Sequence, residues 1–392
     1  MNLALLAASF TICFLFGCSP PGVASDTVMS TASGDAAFTA ETVVTGLEVP
    51  WALAWLPNGD ILVTERPGRV RIVEKGKLRE RPVFTVPDVE PSGESGLMDI
   101  SLHPDFAKNN FIYLAYSYNA DGKKVKVVRY VYKNGEFTSP KTIIENIPGA
   151  PNHAGMRARF GPDGKLYVTT GDSTDWDLAQ DLTSLAGKVL RLNDDGSVPK
   201  DNPFASRKDA RPEIWTYGNR NPQGIAWQPG SGLAFETEHG PSSFEGKGSG
   251  GDEVNILEAG KNYGWPVIHH TETREGMVSP LLEYSPACAP ASAMFYTASA
   301  FPAFKGNFFF GCLRGQRIIR VELDGRKAVR QEDLVSGKFG RIRDVAQGPD
   351  GFVYFTTSNQ DGRGRPAEGD DRILRLVPAK PAPPEKQEKK NG

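Results

Sequence analysis

Apolar and polar residues alternate in short runs along most of this chain, and turns rich in Pro, Asp, Asn and Gly separate the runs. A unit of two such runs around one turn recurs six times, most clearly as "ALAWLPNGDILVTE", "RARFGPDGKLYVTTGD" and "DVAQGPDGFVYFTTS". Alternation with a period of two on both sides of a tight turn predicts a β-hairpin. The six turns lie near Pro57, Pro104, Pro162, Pro229, Pro302 and Pro349.

The spacing of these hairpins predicts the fold. The turns are roughly 45–75 residues apart, which is the range of one propeller blade with insertions. The intervening segments, such as "KVKVVRYVYKNG", supply further strands. Four strands per repeat and six repeats predict an all-β protein, a six-bladed β-propeller of four-stranded antiparallel blades over residues 41–378. A β-sandwich whose turns are similar by chance is the alternative.

Composition agrees with a strand-and-turn protein and narrows the choice of partners. The 392 residues include 42 Gly and 30 Pro, and 45 Lys and Arg stand against 47 Asp and Glu, for a net charge of −2 at pH 7. Such a chain has no field that attracts nucleic acid or an anionic membrane surface. We therefore expect a small-molecule partner and no nucleic acid.

The two ends of the chain differ from the repeats. Residues 1–18 are almost wholly apolar and end in "LFGC", which resembles a lipobox and predicts a lipoprotein-type signal peptide with Cys18 as the lipidated N-terminus. An ordinary secretory signal or a buried strand is the alternative. Residues 19–40 have the composition of a flexible tether, and residues 379–392 that of a disordered tail. We expect an exported, periplasmic protein that contacts the membrane only through this anchor.

Two cysteines lie within the predicted propeller. Cys288 and Cys312 could form a disulfide in an exported protein, or they could be two buried thiols. The sequence contains no C-x-x-C motif and no Cys/His spacing typical of a zinc site.

Counting outwards from a hairpin turn predicts which residues face each other. With Pro162 and Asp163 at the turn, Phe160 faces Lys165, and His153 falls opposite Asp172 at the open end of the hairpin, provided that no bulge intervenes. A histidine held by a carboxylate is a general-base arrangement. A strand-end histidine bonded to the backbone is the alternative.

The same count places other ionisable residues at open ends, with Arg343 opposite Thr356 and Arg341 near Ser358. Because a propeller places equivalent strand ends on one face around its axis, a shared pocket is predicted there. It would contain His153, Asp172, Arg220, Asn221, Arg341 and Arg343. Arginines in one pocket indicate a bound anion, unless they pair with surface acids. The sequence has neither a P-loop nor a G-x-S-x-G motif, which favours a polycarboxylate over a nucleotide.

The segment "GGDEVNILEAGKNYGWP" (Gly250–Pro266) carries many oxygen groups, which suit a hard cation such as Ca²⁺. A polar turn is the alternative. The segment also belongs to a set of long motifs in a characteristic order, with "PWALAWLPNGDILVTER", "NHAGMRARFGPDGKLYVTTGD", "IWTYGNRNPQGIAW", "EHGP" and "RIRDVAQGPDG". Over residues 43–377 these motifs resemble the soluble quinoprotein sugar dehydrogenases, the glucose/sorbosone dehydrogenase family, and especially its aldose sugar dehydrogenase branch. The resemblance implies a six-bladed propeller that uses pyrroloquinoline quinone (PQQ) and calcium.

The resemblance also implies roles for single residues. His153 would take the proton from the anomeric hydroxyl, Asp172 would orient His153, and Arg220 would stabilise charge on the quinone oxygen. The implied PQQ-binding residues are Glu94, Asn152, Arg220, Asn221, Arg314, Arg341 and Arg343. The implied calcium ligands are the carbonyls of Gly240 and Pro241, with Glu253 and Tyr263 at a second, structural site.

Some positions depart from the glucose-specific members of the family. Glu94 replaces a glutamine, and its carboxylate would repel the carboxylates of PQQ. Asn152 and His239 replace an aspartate and a glutamine, Arg314 replaces a lysine, and "SSFEGKGSG" (Ser242–Gly250) is an apparent insertion.

The function that the resemblance implies is PQQ- and calcium-dependent oxidation of the C1 hydroxyl of aldoses to lactones, with hydride transfer to PQQ and an external electron acceptor. A lactonase-type hydrolase and a non-catalytic binding propeller are the alternatives.

Overall fold

The computed structural model describes residues 28–29 and 37–379. The predicted signal peptide with Cys18, most of the tether and nearly all of the tail lie outside this range and stay predictions. In the described part of the chain, two strands precede the first blade: β1 (Val28–Met29) and β2 (Phe38–Val44). The strand β2 begins before residue 41, where the propeller was predicted to start.

Five blades are built from consecutive strands. Blade 1 contains β3 (Pro50–Trp55), β4 (Ile61–Glu65), β5 (Arg69–Glu74), β6 (Lys77–Leu78) and β7 (Phe84–Thr85). Blade 2 contains β8 (Leu97–Leu102), β9 (Phe111–Asn119), β10 (Lys123–Lys133) and β11 (Glu136–Pro148). Blade 3 contains β12 (Gly155–Phe160), β13 (Leu166–Thr170), β14 (Lys188–Leu192) and β15 (Ile214–Tyr217). Blade 4 contains β16 (Pro222–Trp227), β17 (Ala234–Glu238), β18 (Asp252–Leu257) and β19 (Leu282–Tyr284). Blade 5 contains β20 (Pro290–Phe295), β21 (Phe308–Cys312), β22 (Arg317–Asp324) and β23 (Lys327–Leu334).

The sixth blade joins the two ends of the propeller. It contains β24 (Ile342–Gln347), β25 (Val353–Thr357) and β26 (Ile373–Pro378), and β2 pairs antiparallel with β26, with Ala40 opposite Leu376. The inner strands β3, β8, β12, β16, β20 and β24 contact one another in a closed ring. The prediction of a six-bladed β-propeller with four-stranded antiparallel sheets is confirmed.

Helices are short and lie in the connections. Among the described residues they are α1 (Phe106–Asn109) and three 3₁₀ turns at Trp176–Ala179, Ser243–Glu245 and Pro302–Phe304. In the described part of the chain no helix is long and apolar enough to cross a membrane.

The core lies between the blades, because each sheet packs a face against each neighbour. The second strands β4, β13, β17, β21 and β25 are buried along their whole length. Their sequences are accordingly apolar runs, such as "FFFGC", that end in small or polar residues at the open end of the hairpin. Cys288 and Cys312 belong to this buried material and are free thiols, so the structure does not contain the disulfide that the sequence allowed.

Every inner hairpin contains a β-bulge near its open end, and this corrects the predicted register. Phe160 pairs with Leu166 and not with Lys165, and a bulge between Gly155 and Ala158 shifts the pairing back, so that Gly155 lies opposite Thr170. The two errors cancel, and His153 therefore still reaches Asp172. A bulge leaves a backbone N–H without a ladder partner, and the Thr169 hydroxyl accepts the N–H of Arg157 here at 3.0 Å.

The equivalent bulge in blade 6 makes the predicted pairing of Arg343 wrong. Asp344 pairs with Thr356 and Ile342 pairs with Thr357, so Arg343 is the extra residue between them. Arg341 lies beside Ser358 as predicted, since the Ser358 N–H donates to the Arg341 carbonyl at 2.8 Å.

Candidate functional site

A cavity of about 500 Å³ lies at the open ends of the inner hairpins. Loops from all around the ring contribute to its wall, as the prediction of a shared pocket requires. Of the predicted site residues, the wall includes Glu94, Asn152, His153, Arg220, Gly240, Pro241, Arg314 and Arg341. Asp172, Asn221 and Arg343 lie behind this wall.

His153 and Asp172 form a direct pair. His153 Nδ1 lies 2.8 Å from Asp172 Oδ1, and the Asp172 carboxylate also accepts the Trp265 Nε1–H and the Thr174 N–H, both at 2.8 Å. A buried carboxylate that already accepts two N–H groups also serves as the acceptor for His153, so Nδ1 donates to Asp172 and Nε2 is the nitrogen left for the cavity. His153 lines the cavity and can therefore receive a proton there.

The local backbone explains why a glycine precedes Asp172. His153 has a φ of 56°, in the left-handed region, and its carbonyl accepts the Ser173 N–H. A Cβ on Gly171 would lie 1.9 Å from the same carbonyl oxygen. The sequence "TGD" therefore places a glycine where the two hairpin arms approach most closely.

Arg220 is fixed by an acid that the sequence analysis missed. Its Nη2 lies 2.7 Å from Glu245 Oε2, and both side chains are nearly buried, with 2% and 3% exposed. Its Nη1 donates to the His239 carbonyl at 3.2 Å, and its guanidinium lies 5.3 Å from the centre of the Trp265 ring. Trp265 therefore contacts both Arg220 and Asp172. The Nε of Arg220 is buried and has no acceptor.

Glu94 is paired with an arginine from the sixth blade. Arg363 Nη1 lies 2.5 Å from Glu94 Oε1, and Arg363 Nη2 donates to Asn152 Oδ1 at 2.9 Å. Burial alone would raise the pKa of Glu94, but the neighbouring His239, Arg363, His153 and Arg343 outweigh burial and lower the pKa to about 2. The carboxylate is thus ionised at neutral pH and already balanced by a cation. Arg363 was not predicted, and its one signal in the sequence is its place in the glycine- and arginine-containing run "DGRGRP".

His239, a neighbour of Glu94, is neutral at pH 7. Its Nε2 lies 2.8 Å from the Pro290 carbonyl, so Nε2 carries the proton, while Nδ1 lies 3.4 Å from the Asn221 amide nitrogen. Burial lowers the pKa of His239 to about 4. Asn221 also donates to Glu94 Oε2 at 3.4 Å, which joins the predicted asparagine to the cavity acid.

The other predicted arginines differ in position. Arg341 lies on the wall, where its Nε donates to Asp361 Oδ2 at 2.7 Å, and Arg314 is exposed on the wall. Arg343 lies among the inner strands, where its Nη1 donates to Gln223 Oε1 at 2.9 Å and its guanidinium is 5.4 Å from the Trp51 ring centre. Burial lowers the pKa of Arg343 to about 10, so it is still charged.

A buried ion-pair network fills the propeller axis below the cavity. Arg157 Nη1 lies 3.0 Å from Asp99 Oδ1 and 3.4 Å from Asp344 Oδ1, and its guanidinium lies 4.2 Å from the Trp51 ring centre. These residues come from blades 2, 3, 6 and 1. The network ties the inner strands together and was not predicted, because each member looks like an ordinary strand residue.

The predicted calcium residues lie in two places. Gly240 and Pro241 line the cavity, and the Gly240 N–H donates to Asp252 Oδ1 at 2.8 Å. Glu253 lies opposite Glu238 on the neighbouring strand, and Glu236 is two residues before Glu238. Burial, together with repulsion by Glu238, raises the pKa of both Glu236 and Glu253.

This acidic cluster contains buried oxygens without partners. Glu236 Oε2, Asn219 Oδ1 and Asn255 Oδ1 have no hydrogen bond. Tyr263 is also buried nearby, and its hydroxyl donates to the Ile256 carbonyl at 2.8 Å. Within residues 28–29 and 37–379, however, no group of three His, Cys, Asp or Glu side chains is arranged to hold a metal ion. Calcium therefore stays a prediction.

Comparison with known proteins agrees with the geometry. The family model described as Glucose / Sorbosone dehydrogenase matches residues 47–374. The aldose sugar dehydrogenase YliI of Escherichia coli (strain K12) is 37% identical over 336 residues, which cover 81% of this chain and 89% of that protein. Quinoprotein glucose dehydrogenase B of Acinetobacter calcoaceticus is 34% identical over 428 residues, which cover 85% of this chain and 87% of that protein.

A solved structure gives the same result for the fold. The PQQ-bound form of the aldose sugar dehydrogenase from Streptomyces coelicolor superposes with a TM-score of 0.76 at 35% sequence identity, and the match covers 87% of this chain and 98% of that chain. Because the family model spans most of the propeller and these relatives match along nearly their full length, this chain belongs to the glucose/sorbosone dehydrogenase family.

Proposed function

We propose that this protein is a PQQ- and calcium-dependent dehydrogenase that oxidises the C1 hydroxyl of aldose sugars to lactones. The observation that carries the proposal is the His153–Asp172 pair, whose second ring nitrogen is available on the wall of a sugar-sized cavity. The relatives named as aldose sugar dehydrogenases support the substrate class.

The donors around the cavity fit a planar, polycarboxylate quinone. Arg341, Arg314 and Arg220 supply guanidinium groups at the wall, and Arg220 Nε is a buried donor that has no acceptor of its own. Guanidinium forks bind carboxylates and carbonyl oxygens through paired hydrogen bonds. PQQ, when bound there, supplies a two-electron acceptor for the hydride from C1.

The chain's own residues would handle the proton and the charge. His153 Nε2 accepts the proton of the C1 hydroxyl, and the buried Asp172 carboxylate stabilises the imidazolium that results. Arg220 places positive charge at the cavity wall, where it stabilises negative charge that develops on an acceptor oxygen. Glu245 holds Arg220 in that position.

We propose two calcium sites in the chain. The Gly240 and Pro241 carbonyls would hold a cation at the cavity wall, where it would supply a Lewis acid. The unpartnered oxygens beside Glu236 and Glu253 would suit a structural cation, because a hard cation would satisfy several buried oxygens at once. Tyr263 would take part through its backbone carbonyl.

Export is the proposed location, and it rests on the apolar segment that ends at Cys18. Lipidation would hold the protein at a membrane through this residue, and an external carrier would receive the electrons. Cys18→Ala should move the protein from the membrane fraction to the soluble fraction. An unchanged membrane fraction would argue against the lipid anchor.

The experiment that tests the function uses the purified protein with PQQ, Ca²⁺, an aldose and a dye acceptor. We expect dye reduction that depends on both PQQ and sugar, with a lactone as product. Lactone hydrolysis in the absence of PQQ would instead identify a hydrolase. If neither activity occurs at saturating PQQ, the proposal of catalysis is wrong.

A further inference from the structure

The segment Ser242–Gly250 forms one side of the cavity, and its Glu245 side chain fixes it in place. Its 3₁₀ turn is closed by a capping box, in which Glu245 accepts the Ser242 N–H and the Ser242 side chain accepts the Glu245 N–H. The same Glu245 carboxylate binds Arg220. One buried carboxylate thus fixes the shape of the turn and anchors it to the proposed catalytic arginine.

The turn presents a phenyl ring to the cavity. Phe244 lines the cavity and is 86% exposed. The other large apolar residues that are exposed in the described chain are Val267 and Val329, and neither lines the cavity. Phe244 differs from an ordinary exposed apolar residue because it lies on a cavity wall, where a bound ligand would cover the ring and gain the free energy of burying it.

The cavity wall offers both polar and apolar contacts. His153, Glu94 and Asn152 present polar groups, and Phe244, Pro241, Ala287, Ala289 and Leu313 are apolar residues of the same lining. A pyranose has both kinds of surface, with hydroxyl groups around the ring edge and C–H groups on its faces. An aromatic face packs against such C–H groups and leaves the hydroxyls free for polar partners.

We infer that Phe244 is a substrate-contacting residue that packs against the C–H face of the sugar while its C1 hydroxyl lies at His153. The inference rests on the proposed function for the identity of the substrate. The contact with Phe244 would make the cavity prefer a sugar ring that has an apolar C–H face. This preference would come from the Ser242–Gly250 segment.

The kinetic test compares Phe244→Ala with the wild type in the dye assay at saturating PQQ. Loss of the ring contact should raise the KM for aldoses about 3–10-fold and change kcat less than twofold. Phe244→Tyr should keep the wild-type KM, because it keeps the aromatic face. Val329→Ala is the matched control, since it removes an exposed apolar side chain from β23 and should change neither constant. A wild-type KM in Phe244→Ala would overturn the inference even when the dehydrogenase is active.

A binding test separates this inference from the proposed function. The Phe244→Trp variant, without PQQ, is titrated with glucose while its fluorescence is compared with that of the wild type. A saturable change beyond the wild-type signal supports contact with sugar even if the protein proves to have no dehydrogenase activity. A titration identical to that of the wild type would overturn the inference, whatever the activity.

Discussion

Two histidine–aspartate pairs lie on opposite faces of the propeller. His153 and Asp172 are at the open ends of the hairpins, and His103 and Asp194 are at the turn ends, with His103 Nε2 3.5 Å from Asp194 Oδ2. The two imidazole side chains are equally enclosed, at 10% and 13% exposed. Burial therefore does not distinguish them.

The difference lies in what each ring nitrogen contacts. His103 Nδ1 accepts hydrogen bonds from the Asp105 N–H and the Asn109 amide, both at 2.9 Å, and its Nε2 faces Asp194. Both nitrogens are engaged, and the ring packs against Phe160 with 5.1 Å between centres. His153 uses one nitrogen and keeps the other at a cavity. A histidine next to an aspartate becomes a base only where one nitrogen stays available.

Replacing each histidine in turn should give the largest difference between the two pairs. His153→Ala should lower kcat by about 10²–10⁴-fold, the usual contribution of a general base, while PQQ binding is retained. His103→Ala should leave kcat within twofold and lower the melting temperature by a few degrees, because it removes packing and two hydrogen bonds. Dye-linked kinetics and thermal unfolding measure these effects. Equal losses of kcat in both variants would refute the distinction.

Replacing each aspartate tests the orienting role. Asp172→Asn should lower kcat by about 10–10³-fold, because an amide can no longer both accept from His153 Nδ1 and stabilise an imidazolium. Asp194→Asn should have no effect on kcat, since Asp194 is 45% exposed and faces no reacting group. A fully active Asp172→Asn enzyme would remove Asp172 from the mechanism.

The arginines sharpen the contrast between the two faces. Arg341→Ala should weaken PQQ binding about 10–100-fold, because a charge-assisted contact is lost at the cavity wall. Arg375→Ala is the control, since Arg375 pairs with Glu41 on outer strands away from the cavity. Quenching of protein fluorescence by PQQ gives both affinities. An unchanged titration for Arg341→Ala would exclude that residue from the site.

Glu94 tests how an acid is tolerated on the cavity face. Because its pKa of about 2 keeps it ionised, it lowers the affinity for the carboxylates of PQQ, and Glu94→Gln should bind PQQ about 3–10-fold more tightly. The same pKa predicts no step in wild-type PQQ affinity from this group between pH 4 and pH 8. Weaker binding by Glu94→Gln would show instead that its pairing with Arg363 shapes the site.

The smallest expected effect concerns the structural cation. EDTA should lower the melting temperature of the wild type by a few degrees, and Ca²⁺ should restore it, because an ion bound only to the folded state stabilises it. Glu236→Gln should abolish this response, whereas Glu322→Gln, on an outer strand of blade 5, should keep it. A melting temperature that ignores both EDTA and Ca²⁺ would rule out a cation in this cluster.

The fold follows from the sequence to a large extent, because six turn signals and period-two alternation are local properties. The strand register could not be predicted in the same way, because bulges lie beside His153 and Arg343. In such a bulge a hydroxyl such as that of Thr169 replaces the lost ladder hydrogen bond, and counting residues from the turn cannot detect this. His153 was nevertheless matched correctly with Asp172.

The sequence predicted site contacts within one hairpin, such as that of His153 with Asp172. It did not predict contacts between side chains from separate loops. Glu94 and Arg363 are 269 residues apart, and Arg220 lies in the connection from blade 3 to blade 4 whereas Glu245 lies between β17 and β18. Such pairs depend on the closed ring of blades. The sequence predicted Arg343 in the pocket. In the structure Arg343 is the extra residue of a bulge, and its side chain donates to Gln223 at the axis.

A crystal structure of the protein with PQQ and an aldose tests the central claim most directly. The account predicts the sugar in the cavity, with its C1 hydroxyl oxygen within about 2.6–3.2 Å of His153 Nε2. A sugar bound on the turn face near His103, or in the cavity with C1 turned away from His153, would contradict it.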